Sequence, residues 1–289
     1  MLTALFILGC SSDDNLPPYI NPDNKNGNIG GEKYSSRIEI PFLDNDDIFL
    51  THCTTVNGKE SITYSISHNG ERKHCRWVAF TFDPGNRSIS WKRDNWEKTE
   101  WGGDPFQHDP ELPESYVFTK EEINRNGYVR GHLVASYDRV YSKEANEQTF
   151  YYSNISPMLS RFNTGLWNKL EQYVQGWGRN SSFCDTLYIV KGGTINSGFY
   201  KTKTNEQGIK CETIPSYYFM ALLSRYQNTY KAIGFWFPHK DYLDGSLRDY
   251  AVSIDELEQK CGIDFFCNLN DKLEDTLEKR FYLSNWTGL

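Results

Sequence analysis

The stretch that decides the fold is residues 127–177, which contains GYVRGHLVASYDR from residue 127, EQTFYYSNISP from residue 147 and FNTGLWNKLEQYVQGW from residue 162. Apolar side chains in the last segment recur with the periodicity of an α-helix, which predicts a helix over residues 163–177 that Gly178 can end. Aromatic and β-branched residues in the first two segments predict strands at residues 128–136 and 148–154. We therefore expect two strands and then a helix.

Several polar side chains in this stretch have the chemistry of a catalytic site. Arg130 and His132 flank Gly131, so a cation and a titratable imidazole lie side by side on backbone that allows close approach. Asn163 lies where the helix begins, and Glu171 lies eight residues later, about 12 Å further along the helix. That distance argues against direct ligation of one ion by both. Glu171 nevertheless leans toward the helix N-terminus and can reach a water on that ion.

Together these residues predict one-metal hydrolysis of a phosphodiester. A neutral asparagine suits Mg²⁺, which keeps most of its waters and takes further oxygens from a substrate phosphate. A neutral His132 can then deprotonate the attacking water, while Arg130 offsets the charge on the phosphate oxygens. Taken singly, each residue has an ordinary structural interpretation, such as a strand histidine, an asparagine N-cap or a solvated glutamate. Their order and spacing favour the catalytic interpretation.

The series R-G-H, S-N-x-x-P and F-N-x-G-x-W-x-x-L-E resembles the pattern of the DNA/RNA non-specific endonuclease family, a ββα-metal family that includes endonuclease G. That family has a general-base histidine in D-R-G-H, a metal-binding asparagine and a helix glutamate. His132, Asn163 and Glu171 match these three positions, and Arg130 and Asn154 match two more. The resemblance covers roughly residues 60–280, most of the chain after the N-terminal segment.

The resemblance implies an α+β ββα-metal (His-Me finger) nuclease with a central, mainly antiparallel sheet flanked by helices. It implies that His132 is the general base, that Asn163 binds the metal, and that Arg130, Asn154 and Glu171 also take part in catalysis. The implied cofactor is Mg²⁺, with Mn²⁺ or another divalent cation as alternatives. The implied substrates are DNA and RNA, cut internally with little sequence preference, and no protein partner is indicated.

Three positions depart from the family pattern. Val129 stands where the family usually has aspartate, Met158 where glutamine usually follows the proline, and Met220 where a lysine is often found. None of these changes removes a residue with assigned chemistry, but loss of the aspartate can loosen the positioning of Arg130 or His132. The alternative function is a non-catalytic, surface-anchored lipoprotein that binds a polymer or a glycan on the same fold. The aromatic content and the acidic ends fit this alternative, whereas the presence of His132, Asn163 and Glu171 together argues against it.

Composition and charge exclude several classes of protein. With 38% hydrophobic and 24% charged residues, the chain can bury a core, which excludes global disorder. The net charge of −7 is carried by the two ends, because residues 1–50 hold eight acids and three bases and residues 251–289 hold eight and four. The middle of the chain is compatible with a phosphate-binding site, but no basic stripe predicts tight non-specific binding.

The N-terminus resembles a lipoprotein export signal. A mostly apolar run leads into Gly9 and Cys10, as in a bacterial lipobox, although no Lys or Arg precedes it. We predict a signal segment over residues 1–9, a flexible acidic tether over residues 10–35 and a single nuclease domain over residues 36–289. This predicts export and a Gram-negative outer-membrane lipoprotein, periplasmic or at the cell surface, anchored to the outer membrane through a lipidated Cys10.

Six cysteines follow Cys10, and an even number in an exported chain predicts disulfides. Local spacing favours the pairs Cys53–Cys75, Cys184–Cys211 and Cys261–Cys267. The alternative is a zinc site built from His52, Cys53, His74 and Cys75. Structural zinc sites usually contain more tightly spaced cysteine pairs, so disulfides are the favoured expectation.

Outside the deciding stretch, β-branched and aromatic runs alternate with turn residues. They predict a hairpin of residues 62–67 and 76–82 with its turn at Asn69-Gly70. Residues 95–126 are rich in glycine and proline and are expected to form loop. Further strands are predicted at residues 88–92, 186–190, 216–223 and 230–237, and short helices after Ser253 and at residues 271–280. The mixture lacks βαβ regularity, which predicts an α+β fold.

Overall fold

The computed structural model describes residues 23–28, 31–43, 47–93 and 103–289. The strands are β1 (Ile48–Val56), β2 (Lys59–Asn69), β3 (His74–Phe82), β4 (Val129–His132), β5 (Ile155–Met158), β6 (Thr186–Gly193), β7 (Tyr200–Thr204), β8 (Lys210–Pro215), β9 (Tyr217–Tyr226), β10 (Thr229–Pro238) and β11 (Ala251–Val252). The helices are α1 (Lys120–Asn124), α2 (Lys143–Gln148), α3 (Ser160–Phe162), α4 (Asn168–Arg179), α5 (Ile254–Cys261) and α6 (Asp271–Glu278).

Seven strands form one antiparallel sheet in the order β1-β2-β3-β6-β9-β10-β11. The predicted hairpin is present, but β2 continues to Asn69 and the turn occupies residues 70–73. The turn is displaced because the Asn69 side chain accepts a hydrogen bond from the Arg72 N–H at 3.0 Å. The predictions of an α+β fold and of a mainly antiparallel central sheet are confirmed.

The sheet has an apolar core on each of its faces because side chains alternate along a strand. On one face, Val78 and Phe80 of β3 pack in the same core as Leu170 and Val174 of α4. On the opposite face, Trp77 packs in a second core with α5 and the segment that follows it. The helices α4 and α5 therefore lie on opposite sides of the sheet.

The stretch that decides the fold forms a strand–strand–helix finger. Strands β4 and β5 pair antiparallel, with His132 opposite Ile155. The predicted helix over residues 163–177 is confirmed, but helical backbone already begins at α3 and α4 continues to Arg179. Gly178 does not end the helix. It lies inside α4, where a Cβ would overlap the ring of Phe82 on β3, so its lack of a side chain allows the helix to approach the sheet.

Two predicted strands are wrong. Residues 88–92 are not a strand, because the N–H groups of Ser90 and Trp91 both donate to the Val140 carbonyl, at 2.9 and 2.8 Å. The strand expected at residues 148–154 lies immediately afterwards, at β5. Residues 95–126, expected to be loop, contain α1 and a single turn of 3₁₀ helix within their described part. Backbone contacts with Val140 decide the first segment, and the Thr119 side chain, which accepts from the Glu122 N–H, begins α1. Hydrophobic periodicity reveals neither contact.

The predicted disulfides are wrong, since each of the six cysteines in the described part of the chain is a free thiol. For Cys53 and Cys75 the reason is strand register. On β2, the residues opposite them are Ile62 and His68, which are six positions apart. At about 3.3 Å per residue the two cysteines are separated by roughly 20 Å, far beyond the reach of a disulfide.

The other two predicted pairs also point into different surroundings. Cys184 lies in the core beneath α4, whereas Cys211 lies in a separate apolar cluster beside α1. Cys261 ends α5, and the Cys267 thiol contacts the backbone carbonyl of Ile40 at 3.7 Å. Spacing along the chain therefore does not predict which thiols meet, because each of these cysteines is buried among its own neighbours.

Part of the expected tether is packed against the domain. The Asn24 side chain donates to the backbone carbonyls of Cys267 and Leu269, at 2.7 and 2.6 Å. The Asn28 side chain donates to the Pro41 carbonyl at 2.9 Å. The predicted signal segment, Cys10 and the rest of the tether up to residue 22 lie outside the described residues, so their assignment stays a prediction. No helix among the residues described is long and apolar enough to cross a membrane.

Candidate active site

A cleft of about 550 Å³ lies beside the finger. It is lined by Arg93, by residues of the segment 132–140 and by the N-terminal half of the helix that contains Asn163 and α4. Of the five residues selected from the sequence, His132, Asn163 and Glu171 line this cleft together. Arg130 and Asn154 are not among its lining residues.

His132 ends β4 with its ring held between two aromatic side chains. Its ring centroid lies 5.2 Å from the centroids of both Phe106 and Phe150. Its Nε2 atom has no hydrogen-bond partner among the residues that the structure describes. Burial, reinforced by the charges of Arg93 and Arg130, lowers the pKa of His132 to about 3. The imidazole is therefore neutral near pH 7 and can accept a proton.

Glu171 is held in the wall of the cleft by a buried lysine. The carboxylate is 8% exposed, and its Oε1 atom lies 3.1 Å from Lys191 Nζ. Lys191 is fully buried and also lies 3.1 Å from Asp138 Oδ2. Burial raises the pKa of Glu171, and the charge of Lys191 opposes that rise. Lys191 therefore joins two carboxylates that come from different parts of the chain.

The register of the sheet explains why Lys191 points toward the cleft. On β6 it lies directly opposite Val78 of β3 and Met220 of β9, and both of these side chains face α4. Residues directly opposite one another in an antiparallel sheet share a face, so Lys191 must face α4 as well. The family resemblance leads us to expect a lysine at position 220. This chain has Met220 there, and Lys191 lies directly opposite it on the neighbouring strand.

Asn163 lies in a widened turn between α3 and α4. Its backbone is helical, with φ −58° and ψ −41°, so Asn163 is not the N-cap that a structural interpretation would make it. The helix is interrupted two residues later, where Gly165 has φ −93° and ψ −124°. Phe162 and Trp167 are buried in the core on either side of this turn, with their ring centroids 5.8 Å apart, and they hold the turn against the core. Asn163 is thereby placed on the cleft.

The Arg130 guanidinium contacts side chains outside the lining of the cleft. Its Nη1 atom lies 2.9 Å from Asp104 Oδ1 and 3.2 Å from the Tyr152 hydroxyl, and its guanidinium lies 3.9 Å from the centroid of the Phe106 ring. Arg93, which the sequence analysis did not select, lines the cleft instead. Only its position in space identifies Arg93, because it follows a segment without a catalytic motif.

Asn154 uses its amide to tie the two strands of the finger together. Its Oδ1 accepts from the Val134 N–H at 2.8 Å, and its Nδ2 donates to the carbonyls of Val134 and Thr149, at 3.0 and 2.8 Å. The side chain is fully buried. These contacts fix the backbone two residues after His132.

The departures at Val129 and Met158 form one contact. The two residues are directly opposite each other on β4 and β5. A Cβ at Gly131 would overlap the Met158 side chain, so glycine is needed there for the strands to pack. An apolar pair thus stands beside Arg130, whose carboxylate partner is Asp104.

The alternative zinc site is wrong. Its proposed ligands were His52, Cys53, His74 and Cys75. His52 instead pairs with Asp109, at 3.1 Å, and His74 Nε2 lies 2.6 Å from Ser156 Oγ. The two histidines lie on β1 and β3 and are engaged with different parts of the chain, so the four side chains do not converge.

The strand–strand–helix finger and its cleft place the molecule in the ββα-metal class of nucleases. A chain in the crystal structure of the EndoG/EndoGI complex has the same fold, with a TM-score of 0.59 and 19% identity over 77% of this chain and 89% of that chain. The model of the family described as DNA/RNA non-specific endonuclease matches residues 44–272. The chain belongs to this family of metal-dependent nucleases, as its sequence motifs predict.

Named relatives agree with this assignment. The mitochondrial nuclease EXOG of Xenopus laevis is 29% identical over 207 residues, which are 66% of this chain and 57% of that protein. A nuclease of Nostoc sp. is 27% identical over 221 residues, which are 75% of this chain and 76% of that protein. The chain spans a little over half the length of the vertebrate EXOG relatives it matches.

Proposed function

We propose that the protein is an endonuclease that hydrolyses phosphodiester bonds of DNA and RNA, with His132 as general base and a divalent cation, Mg²⁺ in first place, bound through Asn163. The observation that carries this proposal is the convergence of His132, Asn163 and Glu171 on one cleft. These residues come from a strand and from a helix that are separated by about thirty residues of chain. A merely structural role for each would not require them to meet.

The proton transfer is assigned to His132. His132 lines the cleft with a neutral imidazole, and a ring nitrogen of a neutral imidazole can take the proton of an attacking water. The low pKa of His132 keeps the ring neutral before the reaction. An arriving phosphate brings negative charge that offsets Arg93 and Arg130, and this raises the proton affinity of the ring when the substrate is bound.

The residues of the cleft fit a hard divalent cation. Asn163 offers an amide oxygen and Glu171 a carboxylate, and oxygen ligands with few protein contacts are what Mg²⁺ prefers. A bound cation would neutralise charge that develops on the phosphate oxygens. Lys191 orients Glu171, whose negative charge favours a cation in the cleft. Arg93 provides the positive charge at the cleft wall.

A plasmid-nicking assay tests the proposal. The wild-type chain should convert supercoiled DNA to nicked and linear forms with Mg²⁺ and should stop when EDTA is added. His132→Ala should fold normally and lose roughly 10²–10⁴-fold in rate, as expected for removal of a general base. His108→Ala is the matched control, because His108 does not line the cleft and should keep the wild-type rate.

The non-catalytic alternative predicts a different result. A polymer-binding protein on this fold would retain the polymer without metal and would release no products. Cleavage by His132→Ala at the rate of His108→Ala, or binding of oligonucleotides without any cleavage by wild type, would contradict the proposed mechanism.

A further inference from the structure

A cluster of carboxylates lies on the side of the sheet opposite the cleft. Asp255 and Glu258 are three residues apart on α5 and therefore share a helix face, and Glu278 ends α6, which packs against α5. One carboxylate oxygen from each of the three residues lies within 4.8 Å of the others. The helix α5 packs in the core that is separated by the sheet from α4, so this cluster does not belong to the nuclease cleft.

Glu278 is buried, and its Oε1 atom has no hydrogen-bond donor among the residues described. Its side chain is only 7% exposed. A buried carboxylate without a donor is costly unless a charge or a proton compensates it. Glu278 therefore requires a compensating cation or proton, and the space between Glu278, Asp255 and Glu258 can hold it.

Two neighbouring lysines, Lys260 and Lys279, are paired with other carboxylates. Lys260 on α5 pairs with Glu256 at 3.4 Å, and Lys279 next to α6 pairs with Asp275 at 3.1 Å. Burial, and then the charges of Glu258, Glu274, Asp264 and Asp255, raises the pKa of Glu278 to about 9. Burial likewise raises the pKa of Glu258 to about 8. The groups acting on these carboxylates are thus mainly acids.

We propose that Asp255, Glu258 and Glu278 form a binding site for a hard divalent cation, Ca²⁺ in first place, which fastens α6 to α5. One oxygen from each of the three carboxylates converges here, while Glu258 Oε1 also accepts from the Phe265 N–H at 2.8 Å. Ca²⁺ accepts six to eight oxygen ligands in flexible geometry, so waters would complete its shell. Mg²⁺ demands near-octahedral geometry and keeps most of its waters, so it is the weaker candidate. The end of α6 adds the negative pole of its helix dipole. This site is independent of the proposed nuclease activity.

Calcium binding by the full chain tests the proposal. Equilibrium dialysis with ⁴⁵Ca²⁺ should show, in wild type, one bound ion in addition to any held by the cleft. Glu278→Gln should lose this additional ion or bind it at least about tenfold more weakly. Thermal unfolding in 1 mM CaCl₂ should show a rise in Tm of several degrees over EDTA for wild type. Glu256→Gln is the matched control on α5, because Glu256 is exposed and outside the cluster. Any Ca²⁺ held by the nuclease cleft contributes equally to both variants.

Two outcomes overturn the proposal. If Glu278→Gln and Glu256→Gln bind Ca²⁺ with the same stoichiometry and affinity, the cluster is not the site. If wild type gains no stability from Ca²⁺ while Glu278→Gln is more stable than wild type at pH 8 in EDTA, the carboxylates share protons instead of binding a cation. Should Glu278→Gln fail to fold, Asp255→Asn replaces it with the same expectations, since Asp255 is only partly buried.

Discussion

At the scale of single residues, one buried lysine organises the candidate active site. Lys191 compensates two buried carboxylates, and its loss would remove the ion pair from both Glu171 and Asp138. We expect Lys191→Met to lower the free energy of unfolding by about 3–5 kcal/mol, as for a buried ion pair that loses one partner. Urea unfolding measures this change.

Lys210→Met provides the control for that measurement. Lys210 is half exposed and pairs with Glu212 at 2.7 Å on the surface of β8. Exposed pairs contribute little, so the change should be about 0–1 kcal/mol. Equal losses in the two variants would show that Lys191 does not compensate the buried carboxylates.

The two arginines near His132 should differ in their effects on catalysis. Arg93 lines the cleft, and removal of a group that stabilises charge in a transition state costs about 10²-fold or more in kcat. Arg130 is held by Asp104 and Tyr152 and should act on the position of β4. We therefore expect Arg93→Ala to lose more kcat than Arg130→Ala in single-turnover cleavage, whereas Arg130→Ala lowers Tm. A larger loss of kcat in Arg130→Ala than in Arg93→Ala would show that Arg130 stabilises the charge on the phosphate.

At the scale of elements, α4 must approach β3 closely to present Glu171. Two glycines of α4 allow the effect of this close approach to be distinguished from the effect of helix propensity. A Cβ at Gly178 would overlap Phe82, whereas a Cβ at Gly176 would have open space around it. Gly178→Ala should lower the free energy of unfolding by about 1–3 kcal/mol through overpacking. Gly176→Ala should raise it by about 0.5–1 kcal/mol, since alanine favours the helix.

The two substitutions are matched, as they replace the same residue type on the same helix two positions apart. Thermal and urea unfolding give both values, and cleavage rates show whether α4 has moved. A Gly178→Ala variant as stable as Gly176→Ala would mean that the contact between α4 and β3 is not tight.

At the scale of the whole molecule, buried titratable groups determine how stability depends on pH. Burial lowers the pKa of His132 to about 3 and of His74 and His239 to about 4. Each should stay neutral in the folded chain while the unfolded chain takes up a proton below about pH 6.5. At these three histidines the unfolded state then binds more protons, so their contribution to stability is lost as the pH drops from about 6.5 toward 4. His132→Ala, His74→Ala or His239→Ala should therefore make the acid-side loss in urea unfolding shallower.

The loss of stability at alkaline pH comes from groups whose pKa is raised in the folded state. Burial disfavours charged His52, but Asp109 and Glu111 outweigh it and raise its pKa to about 9, and Glu258 and Glu278 are raised to about 8 and 9. Here the folded state binds more protons, from about pH 4.5 upward for the two glutamates and from about pH 6.5 upward for His52, so their contribution to stability falls as the pH rises toward 9. Urea unfolding in EDTA across this range should show the loss, and Glu278→Gln should make it shallower. Stability that rises toward pH 9 would contradict these assignments.

Local pattern was enough to predict much of this molecule. The periodicity of residues 163–177 predicted the helix, and Ser253 predicted the start of α5, where its side chain accepts from the Glu256 N–H at 3.1 Å. The spacing of His132, Asn163 and Glu171 indicated a shared site, and the structure places all three on one cleft. The helices depend on neighbours in the chain, and the three site residues belong to motifs that match a family pattern.

Residue patterns along the chain were thus sufficient to identify the class of fold, the family and the three side chains that meet on the cleft. Only the tertiary structure decided that Arg93 lines the cleft, that Lys191 holds Glu171, and that the six cysteines do not pair. The reason is that strand order and register bring together residues far apart in the chain. Lys191 meets Glu171 because β6 lies between β3 and β9 under α4, and no pattern along the chain encodes that neighbourhood.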